Sequence, residues 1–216
     1  MFKFAVIIHN MLTDIFLKLV SQYSTDKALA NDLWLEIFTK YSEPKRKYHT
    51  ISHLEAILLE LNPVRQIITD WETVLFAVYY HDIIYKATSS TNEEDSAKLA
   101  RQRLTAIGFP TDKIEKCVQM ILATKLHQLS TDDDTNFLTD ADLAILGQHP
   151  YEYQRYTSGI REEYSIYPDF MYNGGRKKAL QHFLEMERIF KTPYFFEKYE
   201  QQARINIEEE LVELQS

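Results

Sequence analysis

The 216-residue sequence holds one cysteine, Cys117, five glycines, six prolines and no apolar run of 18 residues. A single cysteine excludes an internal disulfide and fits a reducing compartment. So few turn formers argue against a β architecture of many short strands. The missing long apolar run argues against a membrane span. Phe4 to Ile8 is apolar but too short for a signal-peptide core, and His9-Asn10 ends it. Positive charge is also scarce, with 24 Lys and Arg against 32 Asp and Glu, a formal net charge of −8. A chain this acidic is poorly suited to neutralising the phosphates of a nucleic-acid polymer. A small anion could still bind where a few cations converge. Together these features read as a soluble cytoplasmic protein, with neither nucleic acid nor membrane as a partner.

Apolar residues are plentiful, at 45%, and aromatic residues make up 13%. That suffices for one sizeable core. Helical periodicity recurs along the whole chain. Leu12 to Tyr23 carries Ile15, Phe16, Leu19 and Val20 on one stripe, and Lys27 to Tyr41 carries Leu29, Leu33 and Ile37. Ser52-x-x-Glu55 and Thr91-x-x-Glu94 have the form of capping boxes, and Thr139-x-x-Asp142 offers a third helix start after an acidic loop, Ser130 to Asn136. Tyr167 to Gly175 reads as a loop closed by Asn173-Gly174-Gly175, followed by helices from Arg176 to Phe190 and Pro193 to Leu214. The acidic run Glu208 to Glu210 reads as a solvated face, with a homodimer interface as the alternative. No linker or repeat divides the chain. The expected fold class is all-α: one compact helical domain over 1–216, with a site core at about 45–150 and C-terminal helices at 151–214.

The stretch Trp71 to Tyr85, WETVLFAVYYHDIIY, is apolar nearly all round, which marks a buried helix. Its apolar stripe of Trp71, Val74, Leu75 and Val78 runs into Asp82, with His81 beside it. A buried carboxylate must change its protonation, find a cation or bind a metal. The segment has no Lys or Arg before Lys86, so a metal and a cation from elsewhere in the chain both remain open. Four side chains could serve one metal: His53, His81, Asp82 and a carboxylate from Asp140-Ala141-Asp142. Imidazoles and carboxylates suit Mn, Fe, Co, Ni or Zn, with Mg admissible. Positions left to water are what hydrolysis needs. Taken one at a time, these residues have plain structural readings: a helix-start histidine, a core histidine and a capping aspartate.

As an ordered set they are similar to a known family. Tyr48-His49-Thr50-x-x-His53, then His81-Asp82, then Asp140-Ala141-Asp142-Leu143 resemble the HD superfamily of metal-dependent phosphohydrolases, and within it a small group of predicted bacterial members. The resemblance continues through Asn92-Glu93-Glu94-x-Ser96-Ala97, Ala123-Thr124-Lys125-x-His127, Ile160-Arg161-x-Glu163-Tyr164 and Gly175-Arg176, over about residues 30–212.

The resemblance implies an all-α fold with His53, His81, Asp82 and Asp142 holding one divalent ion. His53 is preferred to His49 because Ile57 follows it by four, and Asp140 is the fallback for Asp142. The chain lacks the extra paired histidines of two-metal members. A metal-activated water would attack a small phosphorylated molecule, with Asp82, Glu93 and Glu94 as the acids of the reaction. His49, Lys125, His127, Arg161 and Arg176 would bind the substrate. Lys125 continues the stripe of Ile114, Val118 and Ile121 and is expected to point inward. The wider superfamily adds nucleotides as a substrate class, although no base-reading motif stands in this sequence. The competing reading, from another functional class, is a non-catalytic metal-containing helical module that binds a phosphorylated ligand.

Overall fold

The computed structural model describes residues 2–214, with side chains from residue 11 onward. The side chains of Phe4 to Ile8 lie outside the described residues. Among the described residues, ten α-helices follow one another in chain order and no strand occurs. They are α1 (Phe2–Val20), α2 (Lys27–Tyr41), α3 (Ile51–Leu61), α4 (Trp71–Tyr80), α5 (Asn92–Ala106), α6 (Thr111–Ala123), α7 (Asp133–Leu143), α8 (Pro150–Glu163), α9 (Asp169–Glu185) and α10 (Pro193–Glu213). Short 3-10 turns, Asn62–Ile67 and Ala144–Gly147, follow α3 and α7. No helix among the described residues is long and apolar enough to cross a membrane.

Helix α4 forms the centre. Every residue from Thr73 to Tyr80 is buried, and α3, α5, α6 and α7 all pack on it. Each large side chain there removes enough apolar surface from water to contribute roughly 1.5–3 kcal/mol. Asp70 starts the helix by accepting from the Thr73 N–H. The helix ends sooner than its apolar pattern does. His81 is already the C-cap, and residues 81–84 form a turn.

Helix α10 presses on the turn after α7. A Cβ on Gly147 would stand 2.5 Å from the Tyr199 Cβ and 2.7 Å from its carbonyl oxygen, so only glycine fits there.

Several local expectations are corrected. Helix α3 starts at Ile51 after Thr50, with no side-chain cap, so Ser52 lies inside it. Thr91 does precede α5, but its hydroxyl donates to Asp95 instead of capping with Glu94. Helix α7 begins at Asp133, inside the stretch read as an acidic loop. Its true cap is Asp132, which accepts from the Thr135 N–H and hydroxyl. Asn173, Gly174 and Gly175 are helical within α9, because neither glycine is forced to positive φ and the flanking Tyr172 and Leu180 are buried. Glu210 is not solvated. It shares a face with Ala203, Asn206 and Ile207 and is buried with them, while Glu208 and Glu209 are exposed.

Candidate metal centre

Three chain segments bring four donor atoms together. His53 comes from the first turn of α3, His81 and Asp82 from the turn after α4, and Asp142 from the end of α7. His53 Nε2 lies 3.2 Å from His81 Nε2 and 3.1 Å from Asp142 Oδ1. His81 Nε2 lies 3.2 Å from Asp82 Oδ2 and 3.7 Å from Asp142 Oδ1. Donors bonded to one ion at ~2.1 Å stand roughly 3.0 Å apart at right angles and roughly 3.4 Å apart at tetrahedral angles. The spacing therefore suits a shared ion, and so does the mixture of imidazole and carboxylate. His53, His81 and Asp82 offer three donor atoms all within 4.8 Å of one another.

Second contacts fix the ligands. His81 Nδ1 lies 2.9 Å from the Val78 carbonyl, so it donates there and leaves Nε2 turned toward the cluster. Arg46, 5% exposed, donates to the carbonyls of His49, Asp82 and Ile83 at 3.2, 2.7 and 2.8 Å. Its guanidinium also lies over the Tyr41 ring. From α5, Ser96 bonds both the N–H and the carbonyl of Ile84, and Asn92 does the same for Lys86. The turn carrying His81 and Asp82 is thus held on both sides.

Electrostatics follow from these contacts. Among the described residues, neither Asp82 nor Asp142 has a Lys or Arg partner. Asp82 faces His81 and His49, and Asp142 faces His53, His81 and His127. Burial alone would lower the pKa of His81, but Asp82 and Asp142 raise it to about 9. Burial keeps His53 below the ordinary imidazole value. Burial works against charge on Asp82 as well, yet His81 and His49 hold its carboxyl below the usual range.

Around this cluster lies a cavity of about 630 Å³ that reaches His49, Asp82, Glu93, Lys125, His127 and Asp142. His49 stands 3.7 Å from Asp82 Oδ2 through Nε2. Its other nitrogen, Nδ1, lies 2.7 Å from Glu163 Oε2. Glu163 also accepts the N–H groups of Lys47, Tyr48 and His49 on Oε1 and the Tyr85 hydroxyl on Oε2. His127 has φ 50°, a left-handed conformation, and places Nε2 2.9 Å from Asp142 Oδ2.

The remaining sequence-predicted residues divide. Glu93 lines the cavity, whereas Glu94 is turned to Lys125 on the rim. Lys125 does not continue an inward stripe, because α6 ends at Ala123. It reaches instead to the Ser90 carbonyl and to Glu94. Arg176 lines the cavity but is fully engaged, bidentate to Glu210 at 2.7 and 2.9 Å and 3.0 Å from the Tyr156 hydroxyl. Arg161 is not brought to the cavity. It ties the carbonyls of Tyr164 and Tyr167 to Asp169. Asp140 points away from the cluster, fully buried against the N–H groups of Lys191 and Thr192. Arg46 and Glu163 are the residues that sequence reasoning missed. Arg46 stands in the basic stretch Lys45-Arg46-Lys47 with nothing in its spacing to mark it, and Glu163 is only one letter of a longer motif. Comparison of the chain with family models, with curated proteins and with solved structures finds no match in any of the three.

Proposed function

We propose that this protein is a metal-dependent phosphohydrolase of the HD superfamily, acting on a small phosphorylated molecule. The observation that carries the reading is the group of His53, His81 and Asp82, whose donor atoms all lie within 4.8 Å of one another beside a cavity, with Asp142 Oδ1 3.1 Å from His53 and 3.7 Å from His81. Two partly buried carboxylates that have no Lys or Arg partner among the described residues fit a divalent cation better than they fit a purely structural role. A divalent ion held by His53, His81, Asp82 and Asp142 would polarise a phosphoryl oxygen and acidify a water molecule.

The chain's own residues supply the rest. Glu163 fixes the ring of His49 so that Nε2 faces the ligand space. His127, held against Asp142, flanks that space. Glu93 is the acid placed to accept or return a proton, because it lines the cavity and Glu94 does not. Lys125 and Arg176 border the place where a phosphate would lie, and Arg161 takes no part.

Elemental analysis combined with a phosphoester panel tests the assignment. The purified protein is expected to hold about one divalent ion per chain and to release phosphate from at least one ester. His81→Ala and Asp82→Ala should lose both properties and keep their helical circular dichroism. Activity surviving in both variants, or no bound ion after loading with Mn, Fe, Co, Ni, Zn or Mg, overturns the proposal. Tight phosphoester binding without turnover under all six metals would instead make the protein a non-catalytic binding module.

A further inference from the structure

The cavity beside the cluster, at about 630 Å³, is far larger than a phosphate group requires and falls in the range of pockets that enclose a whole small molecule. Its supply of positive charge is small. Lys125 and Arg176 are the lysine and arginine that line it, and both are neutralised within the protein: Lys125 by Glu94 at 2.5 Å and Glu93 at 3.6 Å, Arg176 by Glu210. The lining histidines are matched in the same way, His49 by Glu163 and Asp82, and His127 by Asp142. Asp82, Asp142 and Glu93 add negative charge to the lining. Even with a divalent ion in place, little positive charge is left over. A polyphosphate carries several charges and needs several unpaired cations or Arg forks, whereas a phosphomonoester dianion does not.

The walls are aromatic. Tyr85, Tyr156, Tyr164, Tyr167 and Tyr172 line the cavity together with Met171. Two of the hydroxyls are already used, Tyr85 donating to Glu163 at 2.8 Å and Tyr156 accepting from Arg176 at 3.0 Å. Those residues offer rings to a ligand more than hydroxyls. The rings of Tyr164 and Tyr167 stand 6.2 Å apart, inclined by 31°. Ile166 in the same turn and Phe170 in the first turn of α9 are 70% and 78% exposed, so the apolar character continues outward past the cavity wall.

We infer that the substrate is a phosphomonoester whose alcohol carries a planar aromatic body, and not a polyphosphate. The tyrosine-lined wall would take the ring by stacking while the ester reaches the histidine–aspartate cluster. This inference rests on the phosphohydrolase reading for its reaction, but not for its binding.

Calorimetric titration of the full metal-loaded chain tests the binding. Phenylphosphonate is expected to bind at least about ten-fold more tightly than methylphosphonate, as one ring-stacking contact allows. Equal affinities overturn the inference. Tyr164→Leu should weaken phenylphosphonate binding about ten-fold, and Tyr164→Phe, which keeps the ring and drops the hydroxyl, should restore it. Restoration absent in the Phe variant overturns the stacking role. If Tyr164→Leu fails to fold, Tyr167→Leu and Tyr167→Phe put the same question at the other ring. Turnover separates the two readings. Phenyl phosphate hydrolysed faster than glycerol 3-phosphate or tripolyphosphate supports both, and the reverse order leaves the hydrolase standing while the substrate inference falls. Ring-selective binding with no ester hydrolysed does the opposite.

Discussion

Asp140 and Asp142 lie two residues apart on one helix, and their surroundings differ in kind. Asp140 accepts from the N–H groups of Lys191 and Thr192 and from the Thr192 hydroxyl at 2.7–3.0 Å, with Lys191 Nζ 3.6 Å away. These are fixed donors. They tie the end of α7 to the segment that leads into α10. Among the described residues, Asp142 meets only imidazoles, those of His53, His81 and His127. Burial opposes ionisation at both positions. It prevails at Asp140, whose pKa is raised, whereas the hydrogen bonds from His127 and His53 hold Asp142 well below the ordinary carboxylate value. An imidazole can exchange its partner for a metal, and a backbone N–H cannot. The partners of a buried carboxylate thus separate a structural acid from a candidate ligand more clearly than burial does.

The sharpest break of this comparison is Asp142→Asn. Bound metal should fall from about one ion per chain to none, and phosphate release should fall by roughly 10³-fold or more, since the ion stabilises developing charge by several kcal/mol. Urea unfolding of the metal-free chain should change by less than in Asp140→Ala, because an imidazole that loses its carboxylate can give up its proton, whereas a buried N–H cannot. A large loss of metal-free stability would erase the distinction.

Asp140→Ala should do the reverse. Removing it leaves Lys191 and two N–H groups buried without a partner, at a cost of about 3–5 kcal/mol in urea unfolding. Metal bound per folded chain should stay unchanged. Loss of the ion in this variant would make Asp140 part of the centre.

Glu163 combines both kinds of surroundings, with three N–H groups on Oε1 and an imidazole and a hydroxyl on Oε2. Burial raises its pKa, but His49 and the N–H groups of Tyr48 and Lys47 outweigh burial and lower it from 4.5 to about 2. A carboxyl depressed by folding contributes stability that is complete above its unfolded pKa and disappears as pH falls through the folded one. The native chain should therefore lose about 3 kcal/mol of stability between pH 4.5 and pH 2 through this group. In Glu163→Gln the pH profile of unfolding should be flatter by that amount over the same window. An unchanged slope would show that the N–H cradle holds either protonation state equally.

Much of this arrangement was legible in the chain itself. Helical periodicity gave the all-α fold, because apolar stripes must be buried whatever the helix boundaries. The apolar run ending in His81-Asp82 pointed to the histidine–aspartate cluster, since a carboxylate at the end of such a run needs a partner. What could not be read were contacts made through the backbone. Arg46 acts on carbonyls, which leave no trace in side-chain type, and Glu163 acts on N–H groups 114–116 positions away. Asn173-Gly174-Gly175 misled for the opposite reason. Glycine permits a turn without requiring one, and burial of the flanking residues kept the helix going. Lys125 misled because a helical stripe was carried two residues beyond the point where the helix ends.

The single guanidinium of Arg46 bridges the loop before α3 and the turn after α4. Opening either segment would strand a charged group and several carbonyls at once, so the two segments cannot fray independently. The backbones of His49 and Asp82 are consequently tied to each other through one side chain. A ligand arriving at the cluster would meet a receptor already in its final shape, with little ordering left to be done on binding.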